Sequence, residues 1–428
     1  MLVAKRALSE LTKFVTPDVS LSDLNHLPFW NYLFFGNQYL QFMIYQISRT
    51  LQLRFCVTLA SSIVFATAVF AQPKVTTPAG PIDFEEYEPV STLKVPEHIL
   101  TRAKYPFIDV HNHQYEMDNA DLKKLIGKMD SLNMGLMVNL SGRGFSTNSG
   151  ESQKFFTDAL ANIKKTNPKR LALFTNINFA NVNDKGWTEQ AVKTLEEDIR
   201  NGAKGLKIYK SLGFNVKDDK GNRVRVDDPR LDPIWAKCGQ LGVPVLIHTA
   251  DPKSFWDPMD RYNERWLELK LHPGRKRADN NPVSWEQLIA EQHNVFRKHP
   301  KTTFINAHMG WYPNDLTKLD SLMRVFPNMN LEIGAVIAEL GRQPKASRKF
   351  FEKYQDRILF GKDSWVPSEY TTYFRVLETD DEYFPYHKKY HAFWRMYGMA
   401  LPDEVLKKVY YKNALRIIPG LDKSQFPD

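Results

Sequence analysis

Two histidines one residue apart, His111 and His113, close a short apolar run of the chain. In an extended segment, residues two apart project from the same face. Two imidazoles aimed into one cavity suit a divalent cation, because neutral imidazole is a common ligand for zinc and similar metals. The pair alone is a frequent chance pattern, so the weight falls on its company. His248 ends a second apolar run, and His308 ends a third, sharing a face with Asn306. Asp363 follows Leu359-Phe360-Gly361-Lys362 at the end of a fourth. Three imidazoles and a carboxylate can hold one cation and leave an open position for water. Lys207 lies in Gly205-Leu206-Lys207-Ile208. A lysine inside a core is costly unless paired, so its amine is expected to contact an anionic substrate. Arg143, flanked by Gly142 and Gly144, is expected at the mouth of the site, also contacting substrate.

These residues need elements to position them. From residue 105 the sequence alternates short apolar runs with longer amphipathic segments. The runs are 107–110, 135–140, 171–177, 205–209, 243–248, 303–307, 330–333 and 357–360. Helix-like segments follow at 119–132, 151–166, 188–201, 230–241, 284–299, 314–326, 346–355 and 403–416. Strand–helix alternation repeated eight times predicts an α/β fold, a (β/α)8 TIM barrel, with chemistry at the C-terminal ends of the strands. An open doubly wound sheet is the rival, but no Gly-rich phosphate loop follows the first run. The connection after the fifth strand, 250–284, is long and rich in aromatic and basic residues, among them Trp256, Arg261, Tyr262, Arg265, Trp266 and the run 275–277. It is expected to act as a lid, with Trp256 and Trp266 either facing substrate or packing the lid down.

In this setting His111-Asn112-His113, His248, Asn306-Ala307-His308-Met309-Gly310 and Phe360-Gly361-Lys362-Asp363 resemble the amidohydrolase superfamily. The likeness is to its amidohydrolase-related branch of lactonases and nonoxidative decarboxylases, and it covers about residues 105–418. The resemblance implies one metal, usually zinc, held by His111, His113, His248 and Asp363. It implies that His308 orients water or substrate and that Asp363 doubles as general base. Two departures stand out. Position 362 is more often Ser or Thr in that branch, and Lys362 adds a cation near the metal if it reaches the site. In two-metal members a fourth-strand lysine is carbamylated and bridges the ions, whereas the pattern around Lys207 also resembles one-metal members with a free amine.

The remaining sequence narrows the setting. The chain has 428 residues with 58 Lys+Arg against 49 Asp+Glu, a spread-out excess that gives no footprint for nucleic acid. The charge-free stretch 55–71, preceded by Arg49 and Arg54, reads as a secretory signal whose ordinary start would be Met43. The expected division is an upstream extension at 1–42, a signal peptide at 43–71, a linker or arm at 72–103 and the metal-dependent barrel at 104–428. The expected address is periplasmic or secreted, with membrane contact only through the signal segment if it is retained. His293, His299, His272 and the pair His387 and His391 are read as packed or solvated, and Glu332 is left without a role. The function expected is hydrolysis of a lactone, ester or amide of a small carboxylated compound by a metal-activated water. Nonoxidative decarboxylation is the enzymatic rival, and a periplasmic binding protein without turnover is the rival of another class.

Overall fold

Runs of large apolar residues without polar alternation are what a strand covered on both faces requires. The computed structural model describes residues 81–427 apart from Thr147 and 278–282, so the expected signal segment and the 1–42 extension lie outside the described residues. Each of the eight runs forms strand. They are β1 (Phe107–Asn112), β2 (Met134–Asn139), β3 (Leu171–Leu173) with β4 (Thr175–Asn176), β5 (Leu206–Ile208), β6 (Val245–Ile247), β7 (Phe304–Asn306), β8 (Met329–Glu332) and β9 (Ile358–Leu359). Every residue in them is buried and every pairing among them is parallel.

One sheet runs β1-β2-β3 and the other β4 through β9. β3 and β4 are halves of a single run. Phe174 N donates to Asn139 O at 3.0 Å on the β2 side, and Thr175 N to Gly205 O at 2.9 Å on the β5 side. At the opposite margin Val110 N donates to Phe360 O at 3.0 Å, and Asp363 N to His111 O at 2.7 Å. The end of β1 is thereby tied to the chain leaving β9.

Helices Leu122–Ser131, Ser149–Thr166, Trp187–Asn201, Asp232–Leu241, Trp285–Lys298, Leu316–Val325 and Pro344–Lys353 lie between the strands, within a few residues of the expected ranges. Their starts follow from capping. Asp121, Asn148, Ser284 and Asp315 each accept a backbone N–H from the first turn, satisfying donors that would otherwise be orphaned. Fully burying side chains such as Phe107, Leu206, Leu246, Ile305 and Leu331 stabilises the strand layer by roughly 1.5–3 kcal/mol each.

Three features differ from expectation. The tract 361–402, where no element was expected, holds helix Tyr370–Glu378 and a small antiparallel pair, β10 (Phe384–Pro385) with β11 (Arg395–Met396). The final helix is not continuous: Asp403–Lys407 and Asn413–Ile417 flank a π turn, Lys408–Lys412. A π turn frees a carbonyl from the helical ladder, and Val409 O accepts from Phe360 N at 2.9 Å. The insertion 250–284 has a small core of its own, in which Phe255, Trp256 and Leu269 pack against Trp285 and Leu288. Trp256 Nε1 donates to Val283 O at 3.0 Å, so this tryptophan packs the insertion down. Among the described residues, no helix is long and apolar enough to cross a membrane. Ser91–Asp428 forms one compact unit, and residues 81–90 carry only a turn.

Candidate metal centre

The end of β1 delivers its two histidines to one carboxylate. His111 Nε2 lies 3.2 Å and His113 Nε2 3.7 Å from Asp363 Oδ1. The other ring nitrogens are engaged: His111 Nδ1 meets Glu332 Oε1 at 2.9 Å, and His113 Nδ1 meets Ser141 Oγ at 2.8 Å. Carboxylate contact to the remote nitrogen is the usual way a ligand histidine has its tautomer fixed, leaving Nε2 to face the ion. Behind the pair, Asp109 accepts from His111 N (3.0 Å), Asn112 Nδ2 (2.8 Å), Lys362 N (3.1 Å) and Tyr370 OH (2.6 Å). This network locks the tips of β1 and β9 together.

β7 and β6 add the other two imidazoles. His308 Nδ1 donates to Gly334 O at 2.7 Å and His248 Nε2 to Ala250 O at 3.1 Å. A carbonyl oxygen can only accept, so in neutral rings the remaining nitrogens carry bare lone pairs. These two, His308 Nε2 and His248 Nδ1, face each other at 3.3 Å. Two lone pairs at that distance call for a cation or a shared proton between or beside them. The donor chemistry therefore fits a divalent metal: His111, His113 and Asp363 form one group whose ligand atoms lie within 4.8 Å of one another, and His248 and His308 continue the chain of imidazoles. Glu332 also groups with His111 and His308, but its Oε1 already accepts from His111 Nδ1 and from His308 N (2.6 Å), and its Oε2 from Gly334 N (2.7 Å). It positions the ring bearers.

The electrostatics keep three of the four imidazoles neutral. Burial, with the His308 and His111 rings nearby, pushes the His248 and His113 imidazoles well below the ordinary value, so both are neutral at pH 7. Burial also lowers His308. At His111, burial and Lys207 push down, but Glu332 and Asp363 outweigh them and the pKa ends raised. Burial alone would raise Asp363; the imidazoles of His111, His308 and His113 hold it well below the carboxylate range. Glu332 is likewise drawn down to about 2 by His111 and His308 against its burial. Lys207 is lowered to about 8 by burial, and its Nζ sits 3.3 Å from His111 Nε2. Backbone strain gathers here too. Ala250, His308, Met309, Trp311, Ala335 and Asp363 all have positive φ, a conformation that non-glycine residues hold only where the surroundings enforce it. Gly361 is required by close approach: a Cβ there would meet the Glu332 carboxylate and the Cβ of His111.

The structure thus gathers His111, His113, His248, His308, Asp363 and Lys207. Arg143 is the exception and a correction. Its guanidinium forms a bidentate pair with buried Asp198, both contacts at 2.7 Å, and bonds Gln153 and Thr175. The buried aspartate engages Nε and Nη2 of this cation in a fixed pair. Arg143→Met is expected to destabilise the fold by about 3–5 kcal/mol by stranding Asp198, with metal content unchanged; chemical denaturation and elemental analysis check both. Lys362 is turned to Glu369 at 2.5 Å. His293 packs among Phe296, Tyr312 and Phe326, and His299 pairs with Asp232 at 3.0 Å, as the bland readings expected. Glu332, left without a role in the sequence, and Ser141 and Asp109 gain theirs only here, because a carboxylate or hydroxyl in a buried strand carries no spacing signal of its own.

Comparison with known proteins follows the same line. The Amidohydrolase family model matches residues 108–420. Among solved structures, the chain resembles an uncharacterized TIM-barrel protein from Bordetella bronchiseptica (17% identity, 69% of this chain and 82% of that one, TM-score 0.42). It also resembles a dihydroxybenzoic acid decarboxylase from Polaromonas with bound manganese (14%, 73% and 96%, TM-score 0.47). A third is 4-oxalomesaconate hydratase from Rhodopseudomonas palustris (13%, 74% and 97%, TM-score 0.45). With the family match running from β1 past Asp363 and through the last helix, the chain belongs to the amidohydrolase family of metal-dependent enzymes.

Proposed function

We propose that this protein is a hydrolase that opens a lactone, ester or amide bond of a small carboxylated compound, using one divalent metal, zinc by preference. The observation that carries the reading is the convergence of His111 Nε2 and His113 Nε2 on Asp363 Oδ1, at 3.2 and 3.7 Å. His111, His113, His248 and Asp363 would hold the ion, His248 by turning its bare Nδ1 from His308 toward it. A closed eight-strand barrel is the scaffold we infer. The bonds from β1 to the chain after β9, and from the 171–176 run to both of its neighbours, support it.

The cation supplies Lewis acidity and an acidified water when bound. The protein's own groups do the rest. Asp363, its side chain 36% open to solvent, takes the proton of the attacking water and returns it to the leaving group. His308, braced at Nδ1 by Gly334 O and stacked on Trp311 at 4.5 Å, accepts a hydrogen bond from the attacking water at its Nε2 lone pair and so orients it. Lys207 offers its ammonium to a substrate carboxylate. A periplasmic or secreted address is part of this proposal and rests on the apolar segment 55–71.

The test is chelation. Treatment with 1,10-phenanthroline is expected to abolish hydrolysis across a lactone, ester and amide panel, and one equivalent of Zn2+ per chain to restore it. Metal-dependent carbon dioxide release without hydrolysis would reassign the reaction to decarboxylation. Metal-independent turnover would overturn the proposal. Saturation at two equivalents would mean that Lys207 is carbamylated and bridges two ions.

A further inference from the structure

A cavity of about 270 Å³ is lined by His248, His308 and Asp363 together with Lys362 and Lys388. The two lysines converge on one carboxylate: Glu369 Oε2 lies 2.5 Å from Lys362 Nζ and 3.1 Å from Lys388 Nζ. His387 Nε2 approaches the same oxygen at 3.4 Å, but burial lowers its pKa to about 4, so at pH 7 it adds no charge. Two ammonium groups thus share one acid; Lys362, 2% exposed, fills its other donors with Ser364 Oγ at 3.0 Å and Ser364 O at 3.3 Å, whereas Lys388, 28% exposed, is held by the shared Glu369. A half-buried ammonium that shares its carboxylate with a second lysine is answered well by a further anion. The other cations of the cavity wall do not share this surplus in the same way. Arg275 is met by Glu268 at 2.5 Å, and Lys210, which with Arg277 shares Asp251, is 45% exposed and can be answered by water.

We propose that Lys388, held on the Glu369 that Lys362 also binds, forms a subsite for an acidic group at the non-reacting end of the substrate, so that the preferred substrate carries a carboxylate remote from the bond that is cleaved. This rests on the metal-centre reading for the reacting end, and it gives the unusual Lys362 a purpose. Tyr373 and Tyr386 on the same wall offer flat apolar surface to the connecting part of the molecule.

The experiment is calorimetry on the metal-loaded protein at pH 7 with isophthalate, terephthalate and benzoate as probes, metal content being measured on the same samples. At least one dicarboxylate is expected to bind about tenfold more tightly than benzoate, the size of one charge-assisted contact. Lys388→Met should reduce that preference below about threefold, and Lys388→Arg should keep it. Glu369→Gln should tighten dicarboxylate binding, because it removes the competing anion; a merely structural cluster would weaken all three ligands in both variants. Absence of any preference in the parent protein, or its survival in Lys388→Met, overturns the subsite. One metal per chain with no preference sinks this inference alone, whereas a metal-free parent that still prefers a dicarboxylate through Lys388 sinks the metal reading alone.

Discussion

Asp363→Asn is expected to lower turnover by about 10³-fold or more at saturating metal while the protein stays folded. The amide cannot accept the proton of the attacking water, and it replaces the one oxygen on which His111 and His113 converge. Asparagine is the right replacement because residue 363 has φ of +80°, a region that Asn and Asp tolerate far better than other side chains. Alanine would confound lost chemistry with backbone strain. Steady-state kinetics with added Zn2+, beside a thermal melt, separate the two. Unchanged turnover would show that Asp363 takes no part in proton transfer and would overturn its role as general base.

The second large effect is at Glu332, which touches no substrate. Its two oxygens hold His111 Nδ1, His308 N and Gly334 N in a fully buried pocket. In Glu332→Gln, one end of the amide must point N–H groups at a donor. We expect metal affinity to fall about 10–100-fold, as for other partners of ligand histidines, and stability to fall by roughly 3–5 kcal/mol. The pH dependence follows from the direction of its shift. The carboxyl is depressed from its ordinary 4.5 to about 2 in the fold. Its contribution, about 3 kcal/mol, is therefore fully present above pH 4.5 and is lost as pH falls toward 2. The metal-free parent should lose stability across that window, and the glutamine variant should lose less. Identical acid denaturation curves would remove Glu332 from the account. Equal metal affinity, measured by competition with a chromogenic chelator, would make its role purely structural.

How much of this could be read beforehand depends on the kind of signal. The eight strands were legible because each is a short apolar run, and the caps Asp121, Asn148, Ser284 and Asp315 mark helix starts by residue type. His111, His113, His248, His308 and Asp363 were legible because each sits at a strand end in a repeating pattern. The tract 361–402 was not, since its helix and hairpin interleave aromatic and charged residues without clear period. Arg143 misled for a plain reason. Its glycine-flanked loop predicted exposure at a mouth, and nothing in the sequence ties it to Asp198, 55 positions away.

By itself the chain determined the order of its elements and set five candidate ligand side chains at strand ends, because apolar periodicity and residue type are local properties. Only the tertiary structure decided who holds whom. It set Glu332 behind His111, gave Arg143 to Asp198, and brought Lys388 to the carboxylate that Lys362 also needs. Charges and lone pairs find partners by distance in space, and that distance comes into being when the strand layer assembles.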